Sequence, residues 1–205
     1  MSDPHPAALA PVVAAEVLRE RGLRACLGAE RVVLELGFGR AELLLELASL
    51  NPKRAYLGVE VSRKRVLKAG KRAQRRELGN VFMIHAPAEY VLERVLPPGS
   101  VEECWVNCPD PWPKKRHWRR RLVQAPLIEL LARALGAGAI LHVATDHEGY
   151  RDWIAAVLAG QSAFQNLHAP AVFVATRPER RETAYEAEWR LAGRTMAYFD
   201  YRRAP

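Results

Sequence analysis

Five short apolar runs, each followed by a stretch of helical composition, set the strongest limit on how this chain can fold. The runs cover residues 31–36 (RVVLEL), 55–61, 81–85, 101–106 and 139–144. Helices are expected between and after them, at 41–50, 63–78, 88–95, 122–135 and 150–158, with Gly136 and Gly138 ending the fourth. Strands that alternate with helices pair in parallel and carry the helices on the sheet faces. The expected fold is therefore α/β with a mostly parallel sheet. Two late strands are expected at 172–176 and 195–201, with a helix at 184–192 between them. One modest helix leaves room for the last strand to insert antiparallel at the edge. Residues 1–10 read as a loose Pro/Ala-rich arm and 12–27 as a short amphipathic helix. The organisation expected is an arm and helix over 1–30 and a single domain over 31–205, with 167–181 as a looser connection.

Composition narrows the class. At 205 residues and 49% hydrophobic content, the chain can bury a core without a disulfide or metal staple. Cys26, Cys104 and Cys108 are odd in number and scattered, which suits a reducing cytosol. The six histidines have no metal-ligand spacing, so no metal is expected. The start, Met-Ser-Asp-Pro, lacks the basic and apolar segments of a secretory leader. No apolar run reaches the ~18 residues of a membrane span. The net charge of +8 favours a polyanionic partner. A membrane surface is disfavoured, because no basic helix carries a bulky apolar opposite face.

The most specific local feature is the run Asn107-Cys108-Pro109-Asp110-Pro111-Trp112-Pro113-Lys114-Lys115-Arg116-His117. It places a carboxylate and an aromatic ring on a proline-stiffened loop where a buried strand ends. In open α/β sheets that edge is where ligands bind. Two basic runs accompany it. Arg63, Lys64, Arg65, Lys68, Lys71, Arg72, Arg75 and Arg76 are uninterrupted by any acid, and six Lys or Arg fall within residues 114–121. Together they hold 14 of the 31 basic residues, and such runs suit contact with nucleic-acid phosphates. Trp112, His117 and Trp118 are candidates for stacking on bases, with Trp112 equally suited to packing the loop.

A second constellation concerns a cofactor. Gly37-Phe38-Gly39 follows the first strand and permits close backbone approach to a ligand. A dinucleotide fingerprint would need glycine where Glu42 stands, so NAD is disfavoured. Glu60 ends the second strand, where an acid accepts from a ribose diol. Glu35 lies on an otherwise apolar strand and needs a donor, such as the amino group of S-adenosylmethionine. A buried arginine for Glu35 and solvent for Glu60 are the alternatives.

With these residues in view, the chain resembles the bacterial tRNA (guanine-N7-)-methyltransferases, the TrmB family. The likeness rests on Leu34-Glu35-Leu36-Gly37-Phe38-Gly39, Gly58-Val59-Glu60, the run from Pro109 to His117, Arg119-Arg120-Arg121, Ala144-Thr145-Asp146, and Thr183-Ala184-Tyr185-Glu186 followed by Gly193. It implies a Rossmann-like class I fold dependent on S-adenosylmethionine. It also implies methyl transfer to nitrogen 7 of a guanosine in the tRNA variable loop, position 46. By resemblance, Asp110 would be catalytic, and Glu35, Gly37, Gly39, Glu60, Ala86 and Asp110 would bind the cofactor. Lys114, Asp146, Thr183, Ala184, Tyr185 and Glu186 would bind substrate, while Arg116, Arg119, Arg120 and Arg121 would touch RNA. The partner would be tRNA in the cytoplasm, with a monomer or homodimer, no obligate protein partner and no membrane. Ala41 and Ala86 stand where this family favours glycine and Asp or Asn, and Trp118 replaces a commonly polar residue. The rivals are another RNA base methyltransferase using the same cofactor and a noncatalytic RNA-binding module. An Asp/Asn-Pro-Pro-aromatic turn would favour an exocyclic-amine enzyme, but Pro109-Asp110-Pro111-Trp112 is one residue out of step with it. Acids beside phosphates give a pure RNA binder no benefit.

Overall fold

The computed structural model describes residues 11–177 and 182–205. The arm expected over 1–10, and 178–181 of the looser connection, lie outside the described residues. The chain forms two compact units, one ending at Leu96 and the other starting at Pro97.

The first unit contains α1 (Ala15–Leu27), β1 (Val32–Leu36), α2 (Glu42–Leu50), β2 (Tyr56–Glu60), α3 (Arg63–Arg75), β3 (Val81–His85) and α4 (Ala88–Tyr90), which runs into a π-helical turn at Val91–Val95. Its strands lie in the order β3-β2-β1 and are parallel. Every residue of β1 and β2 is buried, as their near-continuous apolar sequences require of a doubly covered parallel sheet. Helix α3 turns only Val66, Ala69, Gly70 and Ala73 inward, and these small residues let it lie close to β2 and β3. Its cations are exposed except Arg72, which is half-buried.

The helix expected over 12–27 starts later, for a physical reason. The Val13 N–H donates to the Met83 carbonyl at 3.0 Å and the Met83 N–H to that of Pro11 at 2.7 Å. This extended segment runs beside β3, and α1 begins only at Ala15. A Cβ on Gly70 would come 2.8 Å from Val12 Cγ2, so the glycine in α3 makes room for the segment.

The second unit contains β4 (Val101–Asn107), a 3₁₀ helix at Lys115–Arg120, α5 (Ala125–Ala134), β5 (Leu135–Thr145), α6 (Glu148–Ala159), β6 (Phe164–Asn166), α7 (Ala184–Leu191) and β7 (Ala197–Arg203). The order is β4-β5-β7-β6, with β4 parallel to β5 and β7 antiparallel to both β5 and β6. The last strand is antiparallel as expected, but β6 lies outside it. The glycines expected to break the chain after α5 instead sit inside β5. Register there jumps from Val101↔Leu135 to Glu103↔Ile140, and the irregularity absorbs Gly138 at φ 77°.

The strand expected at 172–176 does not form, and only Val174 bridges to Tyr198. Side chains hold this segment instead. Asp200 on β7 accepts from His142 Nδ1 at 2.5 Å and from His168 Nε2 at 2.6 Å, and it pairs with Arg177. No helix among the described residues is long and apolar enough to cross a membrane.

Gly58 links the first unit's core to the turn after β1. A Cβ there would meet Phe38 Cδ1 at 2.6 Å and Leu44 Cδ2 at 2.5 Å. Phe38, in the middle of that turn, is seated over the gap in β2. Gly58→Ala is expected to cost about 1–3 kcal/mol by overpacking, measured as a lower midpoint in urea unfolding.

Candidate active site

The first unit gathers polar groups where β1 and β2 end. Gly37 and Gly39 take left-handed conformations, φ 71° and 52°, and the Gly37 N–H donates to the Val59 carbonyl at 2.8 Å. Glu60 is only 4% exposed. Its Oε2 accepts from the Gly39 N–H at 3.0 Å and its Oε1 from the Ser62 N–H at 2.9 Å, with Arg65 3.5 Å from Oε2. A carboxylate has about four acceptor positions, so each oxygen keeps capacity for a hydroxyl donor. Glu35 is buried on β1, beside Gly58 in register, and Ala86 is buried just past β3. Two carboxylates at adjoining strand ends oppose a phosphate and suit a group carrying a ribose diol and an ammonium. The residues therefore fit S-adenosylmethionine.

The second unit presents Asp110 on the loop after β4. Cys108 and Trp112, on either side of it, both adopt left-handed conformations at φ 48° and 43°. The Cys108 N–H donates to the Ala144 carbonyl at 2.9 Å. The Asp110 side chain faces solvent. Trp112 lies between Arg120, 4.9 Å from its ring centre, and His117, edge-on at 5.7 Å. Trp118 donates to the Pro113 carbonyl at 3.4 Å and meets Trp153 edge-on at 5.5 Å. Both tryptophans are thus engaged in holding the loop.

Lys114, Arg116, Arg119 and Arg120 are exposed on or beside the 3₁₀ helix, which buries none of its residues. Arg121 differs from them. It is 3% exposed, whereas Arg119 and Arg120 before it are exposed. Its Nε donates to the Pro111 carbonyl at 2.9 Å. Burial lowers its pKa below the usual guanidinium value, with Tyr150 opposing.

Asp146 does not cap α6; His147 does, its Nδ1 accepting from the Tyr150 N–H at 3.3 Å. Asp146 instead receives Arg194 at 2.6 Å, and that guanidinium lies 3.7 Å over the Trp189 ring. Thr183 and Glu186 form a capping box on α7. The fully buried Glu186 carboxylate accepts from the Thr183 N–H and hydroxyl, both at 2.7 Å, and from the Tyr198 hydroxyl at 3.1 Å. Ala184 is exposed and has no polar side chain to offer. Tyr185 is half-buried near Asp146 and Cys108, and its phenol is pushed up to about 12 by burial first and then by those two groups. Of residues 183–186, Tyr185 is the one with a side-chain donor outside the cap. The structure brings Asp146, Tyr185 and Cys108 together. Arg194, Tyr150 and Trp153 were missed by sequence reading, and their isolated positions carry no local signal.

The site can be compared with known proteins. The family model Methyltransf_4, described as "Putative methyltransferase", matches residues 29–198. A tRNA (guanine-N(7)-)-methyltransferase of Leifsonia xyli subsp. xyli is 42% identical over 173 residues, covering 84% of this chain and 76% of its own. The one from Halorhodospira halophila is 38% identical over 173 residues, covering 84% and 75%. The chain belongs to the tRNA (guanine-N(7)-)-methyltransferase family. Solved structures agree on the fold. The 16S rRNA methyltransferase KamB has a TM-score of 0.62 at 20% identity, covering 93% of this chain and 92% of its own. A methyltransferase from Aquifex aeolicus described as SAM-dependent has a TM-score of 0.59 at 14% identity, covering 98% and 94%. The fold is the Rossmann-like α/β sheet of class I methyltransferases.

Within this tRNA methyltransferase family member, Ala41 deserves a physical explanation. It caps α2 at φ 54°, ψ 32°, fully buried, with its N–H on the Phe38 carbonyl at 2.6 Å. A left-handed alanine costs roughly 1–2 kcal/mol that glycine avoids, offset in part by glycine's larger unfolded-state entropy. Ala41→Gly is expected to raise stability by about 0.5–1 kcal/mol and leave S-adenosylmethionine affinity unchanged. Denaturant unfolding and calorimetric titration check both.

Proposed function

We propose that this chain transfers a methyl group from S-adenosylmethionine to nitrogen 7 of a guanosine in tRNA, at position 46 of the variable loop. The observation that carries the reading is Asp110, an exposed carboxylate on a proline-framed loop beside exposed cations, in a chain 42% identical to a tRNA (guanine-N(7)-)-methyltransferase. The protein works in the cytoplasm, where its tRNA substrate is found, as a monomer or homodimer.

Glu60 and the Gly37–Gly39 turn would hold the methyl donor's ribose, and Glu35 would accept from its amino group. When bound, S-adenosylmethionine supplies an electrophilic methyl on a sulfonium. Guanine nitrogen 7 has an in-plane lone pair and no proton, so the chain needs no general base there. Its contribution is orientation and charge. Asp110 accepts from the guanine 1-imino and 2-amino groups, a donor pair that adenine lacks, and opposes the positive charge gained by the ring. Lys114, Asp146, Thr183, Ala184 and Tyr185 line the path of the substrate, with Glu186 setting α7 behind them. Arg116, Arg119 and Arg120 hold the RNA backbone.

Helix α3 adds a second cationic surface. Arg63, Lys64, Leu67, Lys68 and Lys71 line an open depression of about 340 Å³ on its outer face. Cations at this density repel one another, and a polyanion relieves the repulsion.

Two experiments test the reading. Asp110→Asn is expected to keep tRNA affinity and lose about a hundredfold in kcat, measured with labelled donor and cleavage chemistry selective for 7-methylguanosine. Near-normal turnover would remove Asp110 from catalysis. Replacing Lys64, Lys68 and Lys71 with Gln is expected to flatten the log–log salt dependence of tRNA binding by roughly 2, with donor affinity intact. An unchanged slope would exclude α3 from the interface.

A further inference from the structure

We propose that Arg121 is a positioning residue that sets the Asp110 loop through the Pro111 carbonyl, rather than a contact to RNA. The inference rests on the function proposed above and assigns this one arginine a separate task.

The loop has an unusual shortage of donors. Pro109, Pro111 and Pro113 carry no N–H, so the loop around Asp110 lacks three of its backbone donors. The left-handed Trp112 adds a cost of about 1–2 kcal/mol. Side chains have to supply the restraint. Trp118 holds the Pro113 carbonyl and Arg121 holds that of Pro111, so the Pro111–Trp112 and Pro113–Lys114 peptides are both pinned.

Arg121 is itself fixed with little freedom. Its guanidinium carbon lies 4.8 Å from the ring centre of Trp118, 4.9 Å from Tyr150 and 5.0 Å from Trp153. Its NH1 approaches the Gly149 carbonyl at 3.4 Å. The cage is anchored in turn. Tyr150 accepts from the Val123 N–H at 2.9 Å, and the Trp153 indole donates to the Val123 carbonyl at 2.8 Å. The Tyr150 phenol is pushed up to about 12, chiefly by burial, and stays neutral at physiological pH. Among the described residues Arg121 has no carboxylate partner. Aromatic faces and carbonyl oxygens satisfy its charge, and it is covered on every side where a phosphate would have to approach. A lysine keeps the charge but lacks the planar fork needed to donate to two carbonyls while lying among three rings.

The test uses the full chain with Arg121→Lys and Arg121→Ala. Four quantities are measured: kcat and KM for tRNA, the salt slope of tRNA binding, and the alkylation rate of Cys108, mapped by mass spectrometry. Cys26 and Cys104 are buried and Cys108 is half-buried at the start of the loop, so its thiol reports loop opening. Both variants are expected to lose about tenfold to a hundredfold in kcat, with KM and salt slope unchanged and Cys108 alkylating faster. Added guanidinium is expected to restore part of the lost kcat to Arg121→Ala only. A raised KM with a flatter salt slope and unchanged kcat would make Arg121 an RNA contact and overturn the proposal. Unchanged kcat and Cys108 reactivity in Arg121→Lys, a variant that keeps the charge and most of the volume, would overturn it equally. A wild-type chain that methylates no tRNA would sink the functional reading instead, and Cys108 alkylation would still decide whether Arg121 holds the loop.

Discussion

Burial of β1 and β2 on both faces is the constraint on which the rest of the first unit depends. A strand with no solvent-exposed face can carry a charged side chain only where donors can be brought to it. Glu60 meets that condition at the end of β2, where the Gly39 and Ser62 N–H groups converge on its carboxylate. The carboxylate in turn fixes the shape of the Gly37–Gly39 turn. Phe38, lying over Gly58, attaches the turn to the core from the other side. The turn is therefore held from two directions, by a buried acid and by the space a missing Cβ leaves.

The second unit solves the inverse problem. Its loop after β4 has carbonyls in plenty and few N–H groups, so a cation does the gathering. Arg121 brings together the Pro111 and Gly149 carbonyls as Glu60 brings together two N–H groups. The choice of arginine follows from geometry, since a planar fork can donate in two directions while its faces lie against rings. The outcome is a loop whose shape is set from behind, which leaves the Asp110 carboxylate facing solvent with no structural duty of its own among the described contacts.

What could be read from the sequence divides along the same physical line. Parallel strands buried on both faces give near-continuous apolar runs, so residues 31–36 and 81–85 announced themselves, and the alternation of strands with helices pointed to the sheet class. Element ends set by distant partners were not readable. The late start of α1 depends on Met83, seventy residues from Val13 in sequence. Gly136 and Gly138 looked like a helix stop because composition does not reveal that Leu135 passes directly into a bulged strand. The apolar stretch 172–176 looked like a strand, but Asp200 holds its neighbours through His168 and Arg177, while the true edge strand is the short Phe164–Asn166. At the site, residue types were legible because Pro109, Asp110 and Trp112 are adjacent. Their partners were not, since Arg194 reaches Asp146 across 48 residues and Trp153 has no motif around it.

Net charge is the clearest case of a quantity that points to a partner without saying where the partner binds. A count of +8 treats every arginine alike. In the fold they separate into classes with different solvation. Arg119 and Arg120 are exposed to water, so the field of their charges is screened by salt. Arg121 has already exchanged its water for three ring faces and two carbonyls, so salt screens it little and a phosphate gains nothing by approaching it. Arg194 is committed to Asp146 and stacked on Trp189. Three consecutive arginines in sequence thus differ in solvation, because the 3₁₀ helix ends at Arg120 and the extended backbone of Arg121 turns its side chain into the aromatic cage. A basic run marks a nucleic-acid surface only for those members whose charges remain solvated, and which members those are is decided by where the helix stops.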